Sequence, residues 1–571
     1  MVVTGGGGSA ANVGRAFFLG AASGAAAAAA ASRGAGGGAT RGLRVGAAQL
    51  ETSANPRQRK ERRTPLGTIG GPEVPVRAKY RFQGRFSGGG VAFGDARGGV
   101  PARQSEEVKT AALPPDAPRL PYFGNALGFL RDPLGFLRRT GARHGDVVGV
   151  KLGPMRITLL SHPDLVEDVL VTRNKLWQKD AHLQTLRPVI GDGLLSSEGD
   201  FWRRQRRLAQ PAFHRDRIAS YGDIMVEHAA RLAARWRDGE VRDVHVDMMR
   251  LTLDIVAETL FGTNVGDRAE DVGQALHDVL SVAVDPFELF FPVLKRLPTP
   301  QRRRFGRAIE KLDAIMYGVI EKRRRHGGAA TSDLLSMLLH AQDEDGGQMS
   351  NQQLRDECMT IFLAGHETTA LNLSWTWLLL SQHPAVAARL RRELDEVLGD
   401  RRATFADLPD LKYTSHVISE SLRLYPPAWS MGREARQDVE IGGFRVPRGG
   451  QVWFCPWSIQ RDARWFDDPD TFRPERWQGD FAKTLHRYAY FPFGGGPRFC
   501  IGQSFAQMEA VLLLATLAQA FTVNVLARPR ATPDPSVTLR PKHGLRARLT
   551  RVRPTLPREA RPRPPAGSVP G

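Results

Sequence analysis

Apolar side chains recur every third or fourth position through most of residues 133–425, the spacing that gives a helix one face to bury. Helices are therefore predicted over 133–144, 163–172, 200–209, 217–238, 246–261, 303–325, 350–382, 384–398 and 412–425. Strict alternation is brief. Val147-Val148-Gly149-Val150-Lys151-Leu152-Gly153 and Ile157-Thr158-Leu159-Leu160 read as the strands of a hairpin turned at Gly153-Pro154. A Leu/Ala-rich run after Gln503 reads as a further, wholly buried helix. The pattern predicts a mainly α protein with a minor β sheet, and no linker divides residues 113–550, so one large domain is expected there. No repeat of 20 to 50 residues is visible.

Both ends depart from this pattern. Residues 1–112 are rich in Gly, Ala and Arg, with an alanine run at 25–31 and a basic cluster Arg57-Gln58-Arg59-Lys60-Glu61-Arg62-Arg63; residues 551–571 form a Pro/Arg-rich tail. Both read as disordered. Residues 1–110 hold 16 Lys/Arg against 6 Asp/Glu and the tail 5 against 1, so 14 of the 20 excess positive charges lie outside the domain. A solvated extension is preferred to a nucleic-acid or anionic-membrane contact through that cluster. Ala16-Phe17-Phe18-Leu19-Gly20 lacks the cleavage pattern of a secretory leader, and no transmembrane span follows it. After Met1 the next methionine is Met155, so a start assigned too far upstream is an alternative, with Val76, Val91 or Val100 as the true one.

Three cysteines, Cys358, Cys455 and Cys500, are too few for a disulfide framework and fit no zinc or iron–sulfur spacing. Cys500 stands apart. It lies at the end of Phe493-Gly494-Gly495-Gly496-Pro497-Arg498-Phe499-Cys500-Ile501-Gly502, a glycine-rich turn opening into the predicted helix. Glycines and a proline let the backbone bend sharply and approach a flat group closely. Unpaired N–H groups and the positive dipole end at the helix start favour a thiolate there, and Arg498 suits an acidic edge such as a haem propionate.

This decapeptide resembles the haem-binding signature of the cytochrome P450 family at Phe493, Gly496, Arg498, Cys500 and Gly502. Three further motifs follow the family order. Ala364-Gly365-His366-Glu367-Thr368-Thr369 is similar to its oxygen-activation motif; the resemblance implies that Glu367 relays protons, that Thr368 bonds oxygen or a water, and that Gly365 makes room for dioxygen. The zinc-protease reading of His366-Glu367 fails, because position 370 is alanine. A helix whose threonines bond back to their own carbonyls is the structural alternative. Glu420 and Arg423, spaced i, i+3, together with Arg476 in Phe472-Arg473-Pro474-Glu475-Arg476-Trp477, resemble the family's Glu-Arg-Arg network, which implies a lock on the cysteine loop. Trp202 and Arg206 resemble its propionate-binding helix, Arg433 stands where another propionate ligand is usual, and His182 is a weaker candidate of the same kind. Arg203, Arg204 and Arg207 would form a basic face for an acidic electron-transfer partner, or a plain solvated helix face.

The resemblance implies the P450 fold, with haem b buried between the central helix and the cysteine-bearing helix, Cys500 as axial thiolate, and insertion of one oxygen atom of O2 into a hydrophobic molecule such as a fatty acid, terpene or other secondary metabolite. Leu363, Ala364, Trp429 and Met431 are expected to line the substrate pocket. No flavin or nicotinamide fingerprint is present, so an external ferredoxin or flavodoxin with its reductase is expected. A cytoplasmic monomer without a membrane anchor and without nucleic-acid binding is expected. Gln460 stands where relatives often have histidine, and no function is attached to it. Two rivals remain: an electron-independent peroxygenase, against which Glu367-Thr368 argues, and a non-catalytic haem-binding protein.

Overall fold

The longest predicted helix is also the axis of the structure. In a computed structural model that describes residues 111–262, 269–282, 299–325, 333–342, 346–526 and 531–552, it runs from Asn351 to Gln382. Ser350 starts it with a capping box: its hydroxyl accepts from the Gln353 N–H while the Gln353 side chain accepts from the Ser350 N–H. Pro384 ends it by excluding His383 from helical geometry. The helix is buried nearly all round, as expected for a helix through the middle of a large α protein. Away from its ends, only Leu363, Ala364, Gly365 and Thr368 keep appreciable accessible surface.

A second helix, Gln503–Ala520, follows the cysteine loop and is buried from Met508 to Ala518. It packs against the helices Gly222–Arg235 and Lys412–Leu424 and against the central helix. Val244–Phe261 lies along the central helix and joins its first half to a second apolar cluster, which includes Leu253, Val256, Leu260, Met359 and Phe362.

The minor sheet has five strands in the spatial order Val147–Leu152, Met155–Leu160, Gln451–Phe454, Met431–Ala435 and Trp177–Lys179. All neighbours are antiparallel except Met155–Leu160 with Gln451–Phe454. Gly153, at φ +61°, makes the predicted turn, and Leu152 faces Met155 across it. The proline-rich lead-in is tied to this sheet by Ala117 N–H to Gly149 O and Gly149 N–H to Pro115 O, both 2.8 Å. A small hairpin, Pro533–Pro535 with Leu539–Pro541, lies further along the chain.

Differences from the predicted elements have local causes. The 217–238 prediction divides into Arg215–Ser220 and Gly222–Arg235. The 163–172 helix widens to a π turn over Asp168–Thr172. Ala269–Val282 was not anticipated because Gly273 interrupts its pattern, and Leu334–His340 is too short to show a helical period. The extension 1–110 and the tail beyond 552 lie outside the described residues.

Candidate active site

The cysteine loop is closed by the Cys500 N–H donating to Phe493 O at 3.0 Å. Two of its glycines are required sterically: a Cβ at Gly496, φ +65°, would fall against the Leu170 carbonyl oxygen, and one at Gly495 would collide with the Tyr488 ring. The neighbouring elements thus press directly on the loop. Phe493 packs against the main apolar cluster, and Gly502 is the N-cap of the following helix. The Phe499 carbonyl accepts a 2.9 Å bond from Arg206 Nη1.

Cys500 keeps an exposed side chain while protein surrounds it on most sides. Burial pushes its thiol above the ordinary value, against the pull of the Gly502 N–H and the Arg206 charge. The backbone N–H acts in the expected direction, but desolvation outweighs it. A coordinating cation at the sulfur removes the proton outright.

Around Glu198 gather Lys179, Arg433, Arg436 and Arg498. Arg498 bonds Glu198 at 2.5 Å and the Ser197 carbonyl at 3.1 Å while stacking over Trp202 at 4.3 Å; Arg436 reaches the same carboxylate at 3.1 Å. Lys179 Nζ donates to the carbonyls of Leu194 and Ser197 at 2.8 and 2.9 Å. Arg433 donates to the Gly432 carbonyl at 2.7 Å, with Asp180 nearby. Burial, followed by the charges of the neighbouring cations, pushes Lys179 down to about 6. Burial likewise lowers Arg433, and Arg498 to about 10. Glu357 also lies near Lys179 but desolvation pushes it up to about 8, so the arginines here face the charges of Asp180 and Glu198 and are short of negative charge. His182 lies against the Trp453 ring at 6.1 Å.

On the central helix, Thr368 Oγ1 donates to Ala364 O at 2.7 Å, the back-bonding of the structural alternative. Its methyl and hydroxyl belong to the accessible strip Leu363, Ala364, Gly365 and Thr368. Glu367 points elsewhere. It is buried, and its Oε1 accepts from Thr538 Oγ1 at 2.8 Å and Arg540 Nε at 2.5 Å. A Cβ on Gly365 would lie 3.3 Å from Val256, so the glycine also eases packing against the Val244–Phe261 helix. His366 is buried beside Phe362, and desolvation lowers it to about 3, leaving the ring neutral.

The expected pocket residues separate. Leu363 borders the same apolar cluster as Trp202, Val537 and Ile501, the neighbour of Cys500, and Ala364 is exposed. Trp429 is packed in the core with Phe129 and Trp453, its indole N–H on Ser536 O at 2.9 Å, so it does not line a pocket. Met431 lies against the Gly494 turn, with its Cε 3.8 Å from where a side chain there would begin. Met431 opens the strand Met431–Ala435, whereas Trp429 lies in the loop before it.

Glu420 anchors the predicted knot. Arg423 bonds it twice, at 2.9 and 2.8 Å; Arg476 Nε and Trp477 Nε1 each reach it at 2.9 Å, and the Arg473 N–H at 3.0 Å. Arg423 also donates to the carbonyls of Gln460, Pro469 and Thr471. Gln460, left without a role by the sequence, is completely buried: its amide donates to Leu422 O and Arg423 O and accepts from the Phe491 N–H at 3.1 Å. It therefore ties the Glu420 helix to the segment entering the cysteine loop.

The sequence matches the family described as Cytochrome P450 over residues 114–546. The chain belongs to the cytochrome P450 family. It is 39% identical to cyclooctatin synthase of Streptomyces melanosporofaciens over 74% of this chain and 92% of that one, and 37% identical to pentalenene oxygenase of Streptomyces avermitilis over 78% and 98%. Among solved structures it resembles a P450 haem domain, with TM-score 0.71 and 29% identity over 78% of this chain and 99% of that one. A retinoic-acid-bound cyanobacterial P450 gives TM-score 0.70 and 26% identity over 78% and 100%. The protein is thus a P450 monooxygenase that binds haem through a thiolate and acts with a redox partner on a hydrophobic small molecule.

The residues present fit haem. Cys500 offers the thiol, and Lys179, Arg433 and Arg498 the under-compensated charge that two propionates would balance. Sequence reasoning missed Lys179, Glu198 and Arg540. It also missed Glu509, a carboxyl fully buried on the cysteine helix, which desolvation pushes up to about 8 against the pull of the Thr369 hydroxyl. Among the described residues, no helix is long and apolar enough to cross a membrane.

Proposed function

We propose that this P450 oxidises a terpene-like hydrocarbon skeleton using haem b, with electrons from a separate ferredoxin or flavodoxin and its reductase. Residues 113–550 are the catalytic domain, which works as a monomer in the cytoplasm. One observation carries the substrate reading: on a helix otherwise buried, the accessible strip is Leu363, Ala364, Gly365 and Thr368, and Leu363 shares an apolar cluster with Ile501 beside Cys500. Such a surface binds carbon skeletons and offers one hydroxyl to orient chemistry. The relatives agree in class, being named for cyclooctatin, cyclooctat-9-en-7-ol and pentalenene.

Haem, when bound, supplies the iron that activates O2. The protein supplies the rest. Cys500 Sγ would hold the group, and Arg433, Arg498, Arg206 and Trp202 would bind its propionates. The Gly502 N–H faces the sulfur and moderates its basicity. Leu363, Ala364 and Val537 exclude water from the hydrocarbon side. Thr368 Oγ1 holds a proton at the strip by bonding Ala364 O, and turning its hydroxyl away from that carbonyl presents the proton to the reaction. Glu367 stands one residue earlier and replaces it.

The test is a spectral titration of the ferric protein with sesquiterpene and diterpene hydrocarbons beside fatty acids. A low-spin to high-spin change with the terpenes supports the assignment; a change with fatty acids alone reverses it.

A further inference from the structure

The three polar contacts described for the Glu367 carboxylate all come from the small hairpin. Thr538 Oγ1 and Arg540 Nε share its Oε1 at 2.8 and 2.5 Å, the Arg540 Nη2 joins them, and Arg540 Nε also lies 3.3 Å from Thr538 Oγ1. The Glu367 side chain is 4% exposed and that of Arg540 17%, so the arginine is the more solvent-accessible partner of the pair. The hairpin itself is held by its backbone: Leu539 N–H donates to Pro427 O, and the indoles of Trp375 and Trp429 donate to Leu539 O and Ser536 O. Its tip carries Val537, which borders the apolar cluster of Leu363 and Ile501. One short hairpin therefore touches both the acid and the apolar surface.

We propose that Arg540 is a positioning residue that holds the Glu367 carboxylate on the hairpin, and that hydrophobic substrate packed against Val537 loosens this clamp so that Glu367 delivers protons only when substrate is present. This rests on the monooxygenase reading of Glu367 and Thr368. A proton enters from solvent at the exposed edge of Arg540, is carried on the Glu367 carboxyl, and passes to the Thr368 hydroxyl, which gives up its own proton toward the strip. The carboxylate left behind is drawn back by Arg540. An acid tied to the hairpin cannot also turn toward Thr368, so the clamp sets when the transfer occurs.

The test uses the haem-loaded full chain, its redox partners and a sesquiterpene hydrocarbon that shifts the spin state. Amide hydrogen exchange across 536–541 is the readout independent of turnover. Substrate should speed exchange at Thr538–Arg540 several-fold in the wild type and leave it unchanged in Val537→Ala. In Arg540→Gln, the rate of peroxide release without substrate should rise at least tenfold, within the roughly 100-fold or more that a positioned proton donor contributes; Arg540→Lys should restore most of the control. Substrate-independent exchange, or peroxide release in Arg540→Gln within twofold of the wild type, would overturn the clamp. If Arg540→Gln does not fold, the Lys and Val537→Ala variants decide by the same readings. A normal reduced carbon-monoxide spectrum in these variants separates failure of the clamp from failure of the monooxygenase assignment.

Discussion

Two buried carboxylates, Glu420 and Glu367, both face arginines, and they differ in how completely they are satisfied. Glu420 accepts five hydrogen bonds on its two oxygens, from Arg423, Arg473, Arg476 and Trp477, and is wholly buried. Glu367 is held through Oε1 by one arginine and one threonine, one residue away from an accessible hydroxyl. A carboxylate bonded at every lone pair has one low-energy arrangement, whereas one bonded at a single oxygen can exchange partners. The first is suited to holding the fold and the second to moving protons.

If this contrast is right, the largest effect comes from breaking the satisfied group. Glu420→Gln leaves Arg423 and Arg476 buried without their anion, at a cost of about 3–5 kcal/mol; the expected outcome is loss of folded holoprotein, read from yield and haem content. Next, Thr368→Ala should leave folding and the carbon-monoxide spectrum intact while product per NADPH collapses and peroxide rises, as general acid–base contributions of roughly 100-fold or more suggest. A peroxygenase or a haem carrier would be indifferent to that change, so normal coupling in Thr368→Ala contradicts the assignment.

Arg433→Ala is intermediate. Removing one propionate-side cation should weaken haem retention, measured by transfer to apomyoglobin, by roughly tenfold, the value of one partly buried charge-assisted bond. Smallest and sharpest is a pH effect at Glu509. Its folded value of about 8 lies above the ordinary 4.5, so the unfolded chain loses this proton first and stability falls as pH rises from about 4.5 to 8. Glu509→Gln should flatten that slope in a thermal-unfolding series, and an unchanged slope would show that the carboxyl is not held protonated.

Much of the Glu420 side was legible in the sequence, because Glu420 and Arg423 are one helical turn apart and that spacing is a local signal. The long helices and the Gly153 hairpin were legible for the same reason. The Glu367 side was not: Thr538 and Arg540 lie 171 and 173 residues away, and no periodicity links them. Gln460 was visible only as a departure from a pattern, since its three bonds go to backbone groups that any sequence supplies. Trp429 was misplaced because an aromatic after Pro426-Pro427 reads equally well as pocket wall or core, and the Ser536 carbonyl decides for core. At Cys500 the sequence showed the helix start, whose N–H acts on the thiol as expected, but not the desolvation that opposes it.

The measurement closest to the central claim is the absorption spectrum of the reduced, carbon-monoxide-bound holoprotein, taken for the wild type and for Cys500→Ser. A strongly red-shifted Soret band in the wild type, lost in the variant, is the expected result and establishes thiolate ligation by Cys500. An unshifted band in well-folded wild-type protein, or a shifted band that survives in Cys500→Ser, would contradict it.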